Sequence, residues 1–355
     1  MQRSFHNRIH RKYGSRHLVP ALVLGLFCSL AHAQYVPIFS GGGAALGGVN
    51  AGTPSIQTVI DPTVAAPMGP HFLLESRADI RGVYAQTGRT GPYNGTLFAS
   101  LQYLQLDYIA APKLTIVAGR FLSPFGTYNE RLSPVWISNF QDAPAIVSIG
   151  TGAKAAGDGG EVRGALITSA KVQLNYIGYF SALETGPKFK ASRSAGYRFD
   201  LFFPSTRLEI GTSFSRMLQG VRNNSEGVHV WWQPYRVPLS FRSEYAHGYH
   251  SSGYWFEAAY RLSQWRGPDS VVGRLEPVFR MQETFRNSSN TPGQADGLPA
   301  VGTQQADFAF DYHLPKEIRL NTSYSRFFSS TGNHNIWEIG MTYRLLFPAW
   351  KGHSR

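Results

Sequence analysis

The feature that most limits what this chain can become is a two-residue period near its end. Trp337, Ile339, Met341, Tyr343, Leu345 and Phe347 fall on one side of an extended chain, and Glu338, Gly340, Thr342 and Arg344 on the other. Successive side chains of a strand point to opposite faces, so this spacing makes one greasy face and one polar face. A helix would scatter the same apolar residues around its axis. The pattern recurs upstream. Ile318, Leu320, Thr322 and Tyr324 oppose Arg319, Asn321, Ser323 and Ser325, and Phe308, Phe310 and Tyr312 oppose Asp307, Ala309 and Asp311. Further back, Tyr254, Phe256, Ala258, Tyr260 and Leu262 oppose Glu257, Ala259 and Arg261, while Leu208, Ile210 and Phe214 oppose Glu209, Gly211, Ser213 and Ser215.

About 14 such runs can be marked, with 12 and 16 as the neighbouring even numbers. They span 71–86, 95–109, 114–123, 160–169, 171–182, 195–204, 206–217, 227–236, 238–248, 253–264, 271–286, 304–314, 316–328 and 335–347. Their connections alternate in length. Ala111-Pro112-Lys113, Ser169-Ala170, Ser205-Thr206, Val237-Pro238 and Leu314-Pro315 are tight, whereas 87–94, 124–159, 183–194, 218–226, 287–303 and 329–334 are long. Only Gln264 to Ser270 breaks the rhythm. Short turns at one end and long loops at the other are the habit of outer-membrane barrels. A soluble sandwich or propeller shares the two-residue period but not this asymmetry. On a soluble protein the apolar faces would also form a large exposed patch. Tyr108, Tyr176, Tyr260, Tyr324, Phe327, Tyr343 and Phe347 suit the aromatic girdles of a membrane barrel.

Composition agrees. Charged residues make up 16% against a usual share of about 25%, aromatics reach 14%, and no apolar run of about 18 residues follows the first segment. The predicted fold class is therefore all-β, a transmembrane antiparallel up-and-down β-barrel over 71–347. Residues 1–33 are expected to be a signal peptide: Arg3, Arg8, Arg11, Lys12 and Arg16, then the apolar run Leu18 to Ala31, then Ala31-His32-Ala33. Phe27 before the lone Cys28 argues against a lipoprotein signal. Cleavage near Gln34 removes five positive charges from the formal +12 and leaves about +7. No basic cluster remains that would suggest nucleic acid, so the residual charge points to a bias toward anions at a pore or its mouth. Residues 34–70, rich in Gly and Ala and without a sustained period, are expected to be a flexible periplasmic leader, and 348–355 a short tail.

The segment Gly119-Arg120-Phe121-Leu122-Ser123-Pro124-Phe125-Gly126-Thr127-Tyr128-Asn129-Glu130-Arg131 resembles the phosphate-selective porin O and P superfamily. The resemblance implies a water-filled porin with one long loop folded into the lumen. It makes Arg120, Glu130, Arg131, Asp142 and Lys154 the candidate constriction residues, with Trp136, Phe140 and Ile146 pinning the loop. Lys188, Lys190 and Arg193 are candidates for a positive vestibule, the alternative being solvated loop charges. Tyr343, Leu345 and Phe347 resemble the signal read by the barrel-assembly machinery, displaced inward by the octapeptide that follows.

The inward positions are mixed in sign. Arg242, Arg261, Arg280, Arg319 and Arg344 alternate with Glu257, Asp307, Asp311 and Glu338, and neighbours of opposite sign partly cancel. A strongly anion-specific filter is not expected from such a wall. Trp231, Trp255 and Phe202 suit either a greasy slide for ligands or half-buried wall aromatics.

The expected activity is passive diffusion of small hydrophilic solutes or anions, with outer-membrane lipids and the assembly machinery as partners and a homotrimer kept as a candidate assembly. Neither a cofactor nor a metal is expected, since no His-Glu-x-x-His or His/Cys spacing occurs. Two alternatives stay open. One is a plugged structural or adhesive barrel. The other is an outer-membrane phospholipase built on the His-x-Ser spacing of His250-Ser251-Ser252-Gly253, which lacks a visible asparagine partner.

Overall fold

The computed structural model describes residues 36–151, 156–183, 192–219, 222–249, 251–286, 298–299 and 301–347. Within them the chain forms sixteen antiparallel strands: β1 (Ile38–Asn50), β2 (Thr53–Met68), β3 (Phe72–Gln86), β4 (Tyr93–Ala111), β5 (Leu114–Leu122), β6 (Ala156–Thr168), β7 (Gln173–Leu183) and β8 (Ser192–Phe203). The second half continues with β9 (Leu208–Met217), β10 (Asn224–Trp232), β11 (Leu239–His247), β12 (Ser251–Tyr260), β13 (Leu275–Arg286), β14 (Thr303–Leu314), β15 (Ile318–Ser329) and β16 (His334–Phe347). Each strand pairs with its sequence neighbours, and β1 pairs with β16 to close the barrel. Closure leaves no sheet edge running the length of the wall, which a lipid solvent demands because it offers backbone groups no partner. Among the described residues no helix is long and apolar enough to cross a membrane.

All fourteen expected runs fall on β3 to β16. The count of about fourteen is corrected to sixteen, because residues 38–68, expected as a flexible leader, are β1 and β2. These strands lack an apolar rhythm for a physical reason. In β1 (IFSGGGAALGGVN) the lumen face must stay flat: a Cβ on Gly42 would lie 2.1 Å from Cε3 of the Trp136 ring, so the lumen loop rests directly on the backbone there. Hydrogen bonding to β16 on one side and β2 on the other holds the segment, in place of side-chain patterning.

The distribution of residues is inverted relative to a soluble domain. Trp337 (58% exposed) and Ile339 (68%) face outward on β16, whereas Asp307 and Asp311 are fully buried on the inner face of β14. Tyr108 with Phe72, Tyr343 and Phe347 sit toward the short-turn end, and Tyr324, its ring tilted against that of Trp337, lies toward the long-loop end. The irregular connection 261–274 carries two short helical turns, Ser263–Arg266 and Val272–Arg274.

Candidate functional site

After Leu122 the chain leaves the wall and turns into the lumen, and the connection to β6 is the longest between described strands. Its first part is a π-helical turn, Tyr128–Leu132. Phe125, Tyr128, Leu132 and Ile146 from this loop bury against Ala246 and Trp255 of the wall, and this small cluster is an apolar core of the molecule. Tyr128 meets Trp255 edge to face, with ring centroids 6.2 Å apart. Burial pushes the Tyr128 phenol up from its ordinary pKa.

Polar anchors follow the loop around the barrel. Glu244 of β11 accepts hydrogen bonds from the amide and hydroxyl of Thr127, from the Tyr128 amide (3.1 Å) and from the Trp255 indole (3.3 Å). Arg198 of β8 pairs with Glu130, contacts Asp200 at 3.0 Å and donates to the Gly126 carbonyl at 2.9 Å. Arg131 pairs with Glu209 of β9 and, at 3.4 Å, with Asp200. Farther along, Asn139 donates to Glu257 (2.8 Å), while its own oxygens accept from Arg319 (3.1 Å) and Asn321 (2.8 Å). Arg280 packs over the Phe140 ring, pairs with Asp307 at 2.7 Å and donates to the Asp142 carbonyl at 2.8 Å. Gln282 accepts from Ala145 N at 2.9 Å, and Ser225 donates to the Ile149 carbonyl at 2.9 Å.

On the opposite side the loop stands off the wall. A cavity of about 240 Å³ lies between it and β1 to β4, lined among others by Asp61, Arg77, Asp79, Arg81, Gln102 and Gln141. Arg81 and Asp79 form a pair at 3.0 Å that faces this space, and among the described residues the loop touches down here through Trp136 on Gly42, Arg77 to Ser133 (2.9 Å) and Val135 N to Asp61 (3.3 Å). The Asp142 side chain reaches lumen water, yet protein surrounds it closely. Loss of bulk solvation raises its carboxyl above the usual range, and Arg280 opposes that shift.

The expected constriction residues divide. Glu130, Arg131 and Asp142 are on the lumen loop, the first two tied to the wall. Lys154 lies outside the described residues, as do Lys188 and Lys190. Arg120 is corrected: it sits on β5 opposite Leu104, on the outward face, where it pairs with Asp158 at 3.3 Å and donates to the Leu101 carbonyl. The one-residue alternation of β5 decides this, because Val117 and Phe121 take the inner face. Arg193 is exposed near the start of β8.

The expected wall charges also divide. Arg280, Arg319, Glu257, Asp307 and Asp311 sit beneath the loop. Arg242 pairs with Glu257 at 3.5 Å and stacks on Trp231, and Glu338 accepts from Ser323 at 2.8 Å. Arg261 follows β12 and donates to the Gly273 carbonyl, and Arg344 is exposed toward the short-turn end. Trp255 is a loop anchor, 1% exposed, so of its two readings the wall aromatic holds, fully buried rather than half-buried. Tyr343 and Phe347 point outward on β16, with Leu345 half-buried between them. Of the His-x-Ser candidate, Ser252 is half-buried on β12 beside the buried Ser251, and His250 lies outside the described residues.

Sequence reasoning missed Asp61, placed in the supposed leader, and it missed a cluster of Asp200, Glu209 and His229. These three come from three adjacent strands, and one donor atom from each lies within 4.8 Å of the others. No local spacing announces such a group, because each strand supplies a single residue.

No protein-family model matches the chain, and no curated protein matches it. Solved structures do. OmpF of Salmonella typhi, determined in complex with daunomycin, superposes with a TM-score of 0.57 at 12% identity, covering 87% of this chain and 97% of that one. A loop-deletion mutant of OmpT, an outer membrane protein of Vibrio cholerae, gives 0.56 at 11% identity over 87% of this chain and 99% of that one. An anion-selective porin from Comamonas acidovorans gives 0.52 at 9% identity, covering 87% and 98%. At such identities the likeness establishes the fold, and the fold is that of a porin barrel.

Proposed function

We infer that this chain is an outer-membrane porin that lets small hydrophilic solutes diffuse past a lumen loop, with a weak preference by charge. The observation that carries the reading is the asymmetric seating of the loop. It is pinned densely along β8 to β15 and touches β1 to β3 at a few points, beside a cavity lined by both signs of charge. Arg77 and Arg81 support passage of anions, including the phosphate implied by the Gly119–Arg131 resemblance. Asp61, Asp79 and Asp142 counter them, so the preference is weak.

The outward aromatics of β16 support recognition by the barrel-assembly machinery, and the apolar outer face supports residence in lipid. A homo-oligomer fits a further feature. β5 pairs with β4 only from Leu104 onward, so residues 93–103 pair with β3 alone, and Tyr93, Leu97 and Phe98 are exposed there.

The number of loop anchors favours one rival, a plugged structural barrel. Single-channel conductance of the refolded chain in a planar bilayer, with reversal potential under a KCl gradient, separates the two. Stable conductance steps with a small reversal potential are expected. Folded but electrically silent protein would overturn the porin reading in favour of the plugged barrel.

A further inference from the structure

Three consecutive strands bring unlike side chains to one rung of the inner face. By register Asp200 of β8, Gly211 of β9 and His229 of β10 lie side by side, and Glu209 follows on the same face of β9 one rung nearer the short turns. The glycine is required. A Cβ on Gly211 would sit 2.2 Å from Cε1 of His229, 2.5 Å from its Nε2 and 2.6 Å from Oδ1 of Asp200. The aspartate and the imidazole therefore lean together across bare backbone, over the strand that separates them.

The resulting distances are informative. His229 Nε2 lies 3.3 Å from Asp200 Oδ1 and 3.4 Å from Glu209 Oε1. Donors held about 2.0–2.1 Å from a tetrahedral ion are roughly 3.3–3.4 Å apart, the spacing seen here. At these ion-pair distances Nε2 of His229, a residue only 1% exposed, and Oδ1 of Asp200 face each other without an aligned hydrogen bond. A buried imidazole and carboxylate oxygen so poorly satisfied cost free energy that an ion bound between them would recover.

We propose that Asp200, Glu209 and His229 are a three-ligand site for a divalent transition-metal ion of the zinc class, entered from the lumen at the place where the Arg131 guanidinium now lies. An imidazole with two carboxylates suits such an ion, whereas calcium takes six to eight oxygens and magnesium near-octahedral oxygens. Arg198, at 3.0 Å from Asp200 Oδ2, engages one oxygen of that carboxylate and leaves Oδ1 turned toward the imidazole. Arg131 pairs with the same two carboxylates from the loop side and is 31% exposed, so it is the cation an incoming ion displaces. Occupation thus releases one anchor of the lumen loop, next to the Glu130–Arg198 pair. The site stands independently of what the pore conducts.

The test is Zn²⁺ titration of the folded full chain in detergent by calorimetry, with Co²⁺ as a spectroscopic substitute. One ion per chain is expected, with the intense visible bands of tetrahedral Co²⁺. His229→Ala should weaken binding more than about tenfold, while Arg131→Ala should tighten it by removing the competing cation. Asp200→Asn, which conserves size, serves if the histidine variant does not fold, and heat-modifiability on gels reports folding. Zinc affinity unchanged in folded His229→Ala or Asp200→Asn would overturn the proposal. So would octahedral-type Co²⁺ spectra, or the absence of stoichiometric binding in both the parent protein and Arg131→Ala.

Discussion

The two sides of the lumen are built from the same kind of strand face and put it to opposite uses. Along β8 to β15 the inward charges are buried beneath the loop and nearly every one has a named partner: Glu244 with the Thr127 and Tyr128 amides, Arg280 with Asp307 and the Asp142 carbonyl, Arg319 with Asn139. Along β1 to β4 Asp61 and Arg77 are buried where the loop touches down, but the Arg81–Asp79 pair beside the cavity stays wet. Arg81 and Asp79 keep side-chain exposures of 36% and 19%, against 2% and 0% for Arg280 and Asp307. A buried ion pair is costly to break because the survivor has no water to turn to, whereas a solvated pair contributes little. The first side should therefore control stability and the second selectivity.

Glu244 offers the largest way to break this contrast. Glu244→Ala strands the Thr127 amide and hydroxyl and the Tyr128 amide, and removes the acceptor of the Trp255 indole. A loss of about 3 kcal/mol is expected, with a larger and noisier single-channel conductance as the loop lifts. Denaturant unfolding followed on heat-modifiable gels gives the first quantity and bilayer recording the second. A variant with unchanged stability and conductance would mean that Glu244 does not hold the loop.

Arg81→Glu should do the reverse. It inverts a half-exposed charge beside the cavity, so the reversal potential should swing toward cations while stability changes by less than about 1 kcal/mol. If the swing is absent and stability falls instead, the passage does not run along β3.

Between the two sides lies Asp142, with its carbonyl bound to Arg280 and its carboxyl in lumen water. Its pKa is raised above the ordinary Asp value of about 3.9, chiefly by desolvation. The protonated form is thus favoured in the folded chain. Its contribution to stability is present below the ordinary pKa and is lost as pH rises through the raised one. On acidification through that window the lumen loses a negative charge, so the reversal potential should move toward anions at a pH where an exposed aspartate is still ionised. Asp142→Asn should show the anion-shifted value at neutral pH and lack this titration step. A step that persists in the variant would assign it to another group.

How legible each region was follows the same division. The fourteen strands β3 to β16 were readable because lipid on one face and water or protein on the other impose alternation that a sequence displays directly. β1 and β2 were not, because Gly42 must admit Trp136 and neighbouring strands supply the pairing. Which charges meet the loop was also hidden. Asn139 reaches Glu257 and Arg319 across separations of 118 and 180 residues, and such contacts depend on where the loop lands. Asp200, Glu209 and His229 stayed unseen for the related reason that their convergence is a property of register. Arg120 shows a different failure: the motif around it resembles a loop entry, but the alternation of β5 was the better guide.

That alternation makes the smallest prediction, and it sharpens the contrast by adding a third surface. Arg120 and Asp158 pair on the outward face, with side-chain exposures of 25% and 57%. Arg120→Gln is expected to leave conductance and reversal potential unchanged, since it removes only the Asp158 contact and the Nε hydrogen bond to the Leu101 carbonyl on the outer face. Bilayer recording beside Arg81→Glu in one salt gradient decides it. A selectivity change as large as that of Arg81→Glu would return Arg120 to the lumen and overturn the register of β5 against β4, because Leu104 and Arg120 occupy one rung and must share a face.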